Sequence, residues 1–241
     1  MTTALPDVSQ LPADPALITL IYHHEHPVVP YDFEETREVW TVHARIDADT
    51  LASAALADGD ADERELDEFK DLRVGRMSFV RVRMFGPDDP WHAMDDYTGD
   101  LCHIGQAVLD IDSGEWAPDF EETLANPVGD LLVMDRVVLE PAWRGFGLGP
   151  MLAGAAIRRL SEGCAAVVCQ PAPADGRKLS KAQSREAKAK LAATWARIGF
   201  TPFRSDIHIL DCHLRRPQDL LAERQSDLKS LSRAWSTHVQ L

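Results

Sequence analysis

The sequence predicts a single α/β (α+β) domain with a central mixed β-sheet flanked by helices. Residues 131–169 form an apolar run, a glycine-rich turn, an amphipathic helix and a second apolar run. Two strands joined in this way are expected to be parallel. Residues 37–46 and 74–85 alternate polar with apolar side chains, which is typical of half-buried strands. The 241 residues are 45% apolar and 27% charged, the balance of an ordinary globular protein.

The composition argues against a membrane protein, a secreted protein and a metalloprotein. The apolar run at 16–22 is far shorter than the ~20 residues that span a bilayer, and no basic segment precedes it as in a signal peptide. His23, His24 and His26 form the only histidine cluster and lack a partner cluster at a metal-like spacing. The cysteines form no CxxC pair, which favours a reduced, cytoplasmic setting and buried thiols. They are Cys102, Cys164, Cys169 and Cys212.

The net charge of −14 is unevenly distributed. Residues 1–130 carry 29 acidic and 8 basic side chains, whereas residues 131–241 carry 10 acidic and 17 basic ones. A polyanionic ligand is therefore expected in the second part, and the acidic first part disfavours nucleic acid and favours cationic partners. The alternative is that the acidic surface only confers solubility.

Periodicity and turn residues predict the elements around the central stretch. Strands are expected at 16–22, 37–46, 74–85 and 164–169, and a last strand pair is expected after Phe200 with 207–210 as its clear member. Helices are expected at 49–56, 62–72, 91–109, 151–162, 181–198 and 217–236, with a basic loop at 175–178. We divide the chain into a frayed N-terminus (1–15), one domain (16–215) and a polar helical tail (216–241).

The glycine-rich turn is typical of an anion-binding site. Gly145, Gly147 and Gly149 alternate directly before a helix, so that backbone N–H groups and the positive end of the helix dipole can face one phosphate. A P-loop would need Lys and Ser or Thr after the glycines, where Pro150 and Met151 stand. A dinucleotide fold would place the glycines immediately after the strand and an acidic residue at the end of the next strand. Neither condition is met.

The stretch from Val137 to Gly149 resembles the acyl-CoA-binding motif of the GCN5-related N-acetyltransferase superfamily. That motif is Arg/Gln-x-x-Gly-x-Gly after a strand and a proline. Downstream, Trp195 to Phe200 is similar to the second signature of the family, an aromatic residue four positions before a Gly-Phe pair. The resemblance covers residues 131–212 and implies the acyl-CoA N-acyltransferase fold, in which the two parallel strands splay apart.

The resemblance also implies how coenzyme A would bind. The loop amides hold the pyrophosphate, and main-chain groups of the preceding strand, above all at Val137 and Leu139, bind the pantetheine arm like an added strand. The implied coenzyme A residues are Val137, Val138, Leu139, Arg144, Gly145, Phe146, Gly147, Leu148 and Gly149.

Asp135 is the candidate catalytic residue. It stands two residues before Val137 and hence on the same face of a regular strand, where its carboxylate could accept the proton of an amine directly or through water. A surface Asp135 paired with Arg136 is the alternative. A backbone N–H near Leu139 is the expected oxyanion donor.

Trp195 departs from the family pattern, because many members have a tyrosine there that protonates the leaving thiolate. An indole N–H cannot serve as that acid, although a thiolate leaves tolerably near its pKa of about 8.5. Trp195 is therefore expected in the core or along the pantetheine arm.

The resulting prediction is an N-acetyltransferase that moves an acetyl group from acetyl-CoA to a small-molecule or peptide amine by direct attack. The acidic first part suggests a cationic acceptor. We expect no metal, nucleic acid or membrane partner. The terminal helix either caps the domain or pairs two copies into a homodimer. The rival function is a non-catalytic acyl-CoA-binding module, and a nucleotide oxidoreductase is a third alternative.

Overall fold

The computed structural model describes residues 7–58, 69–173 and 180–239 as an α+β domain with one seven-stranded mixed sheet. The strands are β1 (Thr19–His23), β2 (Arg37–Ile46), β3 (Leu72–Val82), β4 (Asp130–Leu139), β5 (Cys164–Cys169), β6 (Thr201–Pro202) and β7 (His208–Asp211). The helices are α1 (Ala48–Asp58), α2 (Pro90–Asp95), α3 (Gly99–Val108), α4 (Pro118–Glu121), α5 (Leu148–Leu160), α6 (Lys181–Ala196) and α7 (Arg215–Val239).

The sheet has the order β1-β2-β3-β4-β5-β7-β6. β4 and β5 are parallel, as the strand-turn-helix-strand pattern predicts, and the other neighbouring pairs are antiparallel. α5 is the crossover between β4 and β5. The predicted mixed sheet with flanking helices is therefore confirmed.

Apolar side chains form one buried cluster on each side of the sheet. The first cluster joins Val42, Met77 and Leu132 of the strands to α5 and to Trp195 at the end of α6, and α7 packs onto it. The second joins Val80 and Val133 to α2, α3 and α4. Because β3 and β4 contribute to both clusters, the central strands are covered on both faces, as their apolar sequence requires.

The first strand and the second helical region differ from the sequence prediction. Asp14 accepts a hydrogen bond from the N–H of Ala16 and caps a 3-10 turn at Pro15–Leu17, so β1 begins only at Thr19. Residues 91–109 are two helices, because Thr98 caps α3 by accepting from the N–H of Leu101. The single helix predicted there was wrong, since apolar periodicity was followed across a capping residue.

Two predicted segments fall wholly or partly outside the described residues. The basic loop at 175–178 lies outside them, as does most of the predicted helix at 62–72. Residues 69–71 are not helical and Leu72 begins β3, so the end of that helix was wrong.

Both ends of the described chain pack on the domain. Leu11 and Ala13 are buried in the first cluster, and the indole N–H of Trp235 in α7 donates to the carbonyl of Leu11 at 3.4 Å. Leu221, Leu228 and Leu231 of α7 pack against the same cluster. Across the described ranges, no helix combines the length and the apolarity needed to span a bilayer.

Candidate functional site

The parallel strands β4 and β5 diverge halfway along β4. They pair from Asp130 to Val133, whereas β4 continues to Leu139 with β3 as its only strand partner among the described residues. β5 instead turns its last residue, Cys169, toward β7. The second half of β4 thus has an open backbone edge, and the predicted splay of the parallel strands is confirmed.

A β-bulge lies at Asp135, where the divergence begins. Ser78 pairs with Arg136 and Phe79 pairs with Met134, so Asp135 is an extra residue in β4. Met134 and Val137 consequently face the same cluster, although they stand three residues apart. Simple alternation, which predicted Asp135 and Val137 on one face, does not hold across this bulge.

The open edge of β4 presents the backbone groups of Val137 and Leu139. Glu140 donates its N–H to Val74 of β3 at 2.9 Å, and the carbonyl of Val138 lies against Gly75 of β3. Backbone groups alternate along a strand, so those of Val137 and Leu139 point away from β3 toward the divergence. The side chains of both residues pack against the first cluster, which leaves only their main-chain groups for a ligand.

A short turn after β4 positions the glycine loop. Pro141–Trp143 is a 3-10 turn, and the Trp143 side chain is only 2% exposed, so the turn is anchored in the core. The exposed Arg144 donates from Nε to the carbonyl of Leu139 at 2.8 Å. Arg144 thereby holds the loop against the strand and occupies one of the outward acceptors of β4.

The glycine loop leads into the first turn of α5. Gly145 has φ +93° and Gly147, the N-cap of α5, has φ +77°, a region that other residues rarely adopt. No described group accepts a hydrogen bond from the N–H of Gly145, Phe146 or Gly147, and the N-cap supplies no side-chain acceptor. The Leu148 and Phe146 side chains pack into the core, so these residues offer only their amides. Together the loop and the helix terminus form a cluster of free donors.

Gly149 is a glycine that the folded chain itself does not require. Its φ lies outside the left-handed region, and a Cβ built on it would meet nothing within 4 Å. Glycine in a helix costs about 0.5–1 kcal/mol relative to alanine. The empty space beside Gly149 therefore fits a group that comes close to the backbone, as an anion on the helix terminus would.

A groove of about 560 Å³ runs from the open edge of β4 past the glycine loop to α6. One face of α6 lines it through Lys190, Thr194 and Arg197, which follow the spacing i, i+4, i+7. The Arg197 guanidinium approaches the space beside Gly147, where a built Cβ would lie 3.5 Å from its Nη1. No role is predicted for these three residues from the sequence, although their helical spacing next to Trp195 could have indicated one.

A smaller cavity of about 80 Å³ adjoins the groove at the bulge. Asp135 and Arg136 line it together with Cys169 and Gln170, and it shares Trp195 with the groove. Burial raises the pKa of the Asp135 carboxyl above its ordinary value of 3.8, Arg136 opposes the rise, and Asp100 adds to it. Asp135 is thus a half-buried carboxyl at the point where the groove meets the strand divergence.

The groove has Trp195 where many members of the resembled family have a tyrosine. Trp195 is 7% exposed, belongs to the first cluster and lines both cavities, so it is at once a core residue and part of the wall. The chain's tyrosines lie elsewhere: Tyr97 stacks under Arg37 at 4.7 Å, and Tyr22 borders a cavity with Arg159. Burial raises the pKa of the Cys169 thiol, which is therefore neutral.

All the predicted site residues except Phe146 line the groove or the smaller cavity. The Phe146 side chain packs against the first cluster instead. In the ranges 7–58, 69–173 and 180–239, no group of three His, Cys, Asp or Glu side chains is arranged to hold a metal ion.

Comparison with known proteins does not assign the chain to a family. No family model matches it, and no curated protein matches it. A crystal structure of a KacT mutant is similar at 10% identity and a TM-score of 0.35, over 78% of this chain and 76% of that one. The crystal structure of the KacTA–DNA complex is similar at 10% identity and a TM-score of 0.34, over 86% of this chain and 99% of that one. Likenesses this remote carry no argument about activity, which depends on the geometry above.

Proposed function

We propose that this protein is an N-acyltransferase that moves an acetyl group from acetyl-CoA to an amine. The observation that carries the proposal is the continuity of three features in one groove: free amides at the α5 terminus, an open β4 edge, and a carboxyl at the strand divergence. A pyrophosphate, an amide-bearing arm and a thioester are the parts of acetyl-CoA, and they would meet these features in that order.

The residues of the groove fit the anionic end of coenzyme A. The N–H groups of Gly145 to Gly149 would hold the pyrophosphate, with Arg144, Lys190 and Arg197 supplying positive charge around it. The N–H groups of Val137 and Leu139 and the C=O of Val137 would bind the pantetheine amides as a neighbouring strand does, while the C=O of Leu139 accepts from Arg144. Val138 lines the groove and would therefore contact the pantetheine arm.

The thioester supplies an activated acyl carbon, and amine attack exchanges its C–S bond for a C–N bond. Asp135 would accept the proton that the amine loses, and its raised pKa makes it a stronger base than an exposed carboxylate. An outward backbone N–H of β4 beside the thioester, held in place by the β3–β4 pairing, would stabilise negative charge on the carbonyl oxygen. The released thiolate would take its proton from water, because Trp195 cannot provide one.

The absence of a tyrosine from the walls of the groove favours one alternative, a non-catalytic acyl-CoA-binding module. Such a module needs the amides and the open strand edge but no proton donor or acceptor. It predicts coenzyme A binding without transfer to any amine.

Thiol release from acetyl-CoA across a panel of amines, measured beside thermal shifts with acetyl-CoA and with NAD(P), tests the proposal. We expect stabilisation by acetyl-CoA and amine-dependent thiol release. Stabilisation without release on any amine would support the binding module, and stabilisation by NAD(P) alone would support an oxidoreductase. No stabilisation by any of these ligands would contradict all three functions.

A further inference from the structure

The face of β1, β2 and the start of β3 that points away from the first buried cluster carries a cluster of basic side chains. Val42, Ala44 and Ile46 of β2 face the first buried cluster, so Thr41, His43 and Arg45 face the other way. Among the described residues, α2 contacts this face of β2 at its first residue, Arg37, which donates to the carbonyl of Ala93, and no residue of β1 or β2 belongs to the second buried cluster.

Neighbouring strands add like charges directly opposite those of β2. Arg45 is paired with Arg73 of β3, and His43 is paired with Arg76 of β3. The ring of His23 in β1 packs edge-on against that of His43, with 5.4 Å between centroids. Like charges directly opposite each other in an antiparallel sheet are destabilising, and Arg45 and Arg73 form such a pair, whereas His43 adds positive charge opposite Arg76 only when its imidazole is protonated.

The cluster surrounds a concave space of about 450 Å³. Among the described residues, His23, His43, Arg45 and Arg73 line this space, and Asp71 is the one acidic residue among its lining side chains. Asp71 is already shared, since it accepts from the Arg45 guanidinium and from the N–H of Ala48. Within the described ranges, Arg76 donates to a neutral partner, the Thr41 hydroxyl, at 3.4 Å.

The positive charge of this cluster is opposite in sign to the net charge of residues 1–130, to which its members belong. Residues 1–130 have 29 acidic and 8 basic side chains, and three of those eight stand on this one sheet face as Arg45, Arg73 and Arg76. If this face only conferred solubility on an acidic protein, three arginines would not be expected side by side on it. The arrangement is the one that recognises an oxyanion, for which arginine forks on adjacent strands are suited.

We propose that the basic cluster of His23, His43, Arg45, Arg73 and Arg76 binds the carboxylate or phosphate of a small ligand. The cluster adjoins the candidate site, because Arg76 is the strand partner of Val138 and Gly75 that of Leu139. If the proposed acyltransferase function holds, the ligand is the acceptor, an amine that also carries an oxyanion group. The cationic acceptor predicted from the overall charge is disfavoured by these local charges.

The oxyanion site is tested on the free protein by NMR of the His43 ring during titration with inorganic phosphate at constant ionic strength. Partial burial lowers the pKa of the His43 imidazole, and the nearby charges of His23, Arg76, Arg73 and Arg45 lower it further. We expect a saturable shift and a rise in that pKa, because a bound anion offsets those charges. Asp71 is the acidic residue that lines the same space among the described residues.

The Arg73→Gln/Arg76→Gln variant should bind phosphate at least about tenfold more weakly, since each arginine contributes charge-assisted hydrogen bonds. Removing like-charge pairs should leave the melting temperature unchanged or higher. The control Arg215→Gln changes charge on exposed α7 and should bind phosphate normally. Equal phosphate response in the wild type and the double variant would overturn the site.

Acceptor assays test the second half of the proposal separately. O-phosphoethanolamine and β-alanine should be acetylated with a lower KM than ethanolamine or spermidine, and the advantage should vanish in the double variant while acetyl-CoA affinity stays the same. Phosphate binding without this preference would overturn the assignment to the acceptor and leave the oxyanion site supported. Tight binding of an RNA or DNA duplex that is lost in the double variant, with no saturable phosphate binding, would overturn the small ligand in favour of a polyanion.

Discussion

Gly147 and Gly149 stand two residues apart and are glycines for different reasons. Gly147 adopts a left-handed conformation with φ +77°, so the fold requires it. Gly149 has an ordinary helical conformation and empty space beside it, so the fold does not require it, and in the proposed function it lets the pyrophosphate approach the backbone. The contrast separates the stability of the loop from its binding function.

Replacing Gly149 by alanine should leave the fold intact and weaken coenzyme A binding. A Cβ there meets no described atom within 4 Å. Alanine should therefore raise the free energy of unfolding by up to about 1 kcal/mol, since glycine is the poorer helix residue. The same Cβ would fill the space where a pyrophosphate approaches the amides, so affinity should fall at least about tenfold by calorimetry.

Gly99→Ala is the matched control. Gly99 also lies in the first turn of a helix, α3, with nothing within 4 Å of a built Cβ. It should give the same small stabilisation and bind coenzyme A normally. Unchanged coenzyme A affinity in Gly149→Ala would contradict the pyrophosphate site.

Asp135→Asn should slow transfer and stabilise the fold at neutral pH. Removing a general base typically costs about 100-fold or more in rate, seen here as a fall in kcat with coenzyme A affinity unchanged. Burial raises the pKa of Asp135 in the folded chain above the ordinary 3.8, so the carboxyl destabilises the fold as pH rises through the interval between these two pKa values.

The stabilising effect of Asp135→Asn should therefore be present at neutral pH and vanish at acid pH, below both pKa values. Denaturant unfolding across pH measures it, and Asp112→Asn, an exposed carboxyl, is the control. Undiminished activity of the Asp135→Asn variant would contradict the role of Asp135 as the base. The amine would then attack in its neutral form and lose its proton to solvent.

At the scale of elements, the sequence predicted the β4–α5–β5 unit well, because its signals are local. A continuous apolar run, three glycines and an amphipathic helix need no tertiary information to be read. The bulge at Asp135 was not predictable, since it depends on how β3 pairs with β4. The break between α2 and α3 was readable from Asp89-Pro90 and Thr98-Gly99, which are capping signals that apolar periodicity obscured.

The groove wall formed by α6 shows a second limit of sequence reasoning. The polar face of Lys190, Thr194 and Arg197 looks like an ordinary solvated helix face until the loop of Gly145–Gly149 is placed opposite it. Only the divergence of β4 and β5 creates that space.

Lys190→Gln and Arg197→Gln should each weaken coenzyme A binding about three- to tenfold, and the loss should shrink at high salt. Both side chains line the groove and lie at the surface, where ion pairs are screened. Lys188→Gln is the control, since Lys188 lies on the same helix and is ion-paired, as Lys190 and Arg197 also are, but does not line the groove. Equal effects of all three substitutions would show a general charge effect and contradict a specific role for this face.

At the scale of the whole molecule, α7 closes the first core cluster. Leu221, Leu228, Leu231 and Trp235 pack onto their own domain. Of the two roles predicted for this helix, capping is thus the one that Leu221, Leu228 and Leu231 serve.

The contact between Gly154 of α5 and Leu221 of α7 tests this docking. A Cβ built on Gly154 would lie 2.2 Å from Cδ2 of Leu221. Gly154→Ala should therefore destabilise the fold by about 1–3 kcal/mol through overpacking. Leu221→Ala should also destabilise it, by leaving a cavity.

The double variant Gly154→Ala/Leu221→Ala should lose less stability than the sum of the two single losses, because the added methyl enters the space that the leucine vacates. Denaturant unfolding of the four proteins measures the coupling. Additive losses would show that α7 does not dock on α5 through this contact.

The central claim is that one groove binds acetyl-CoA from the glycine loop to the strand divergence, and a crystal structure with acetyl-CoA bound tests it most directly. We predict the pyrophosphate on the amides of Gly145 to Gly149, the pantetheine arm along the open edge of β4 at Val137 and Leu139, and the thioester beside Asp135. Acetyl-CoA bound on any other surface, the basic cluster of β1–β3 included, would contradict the account.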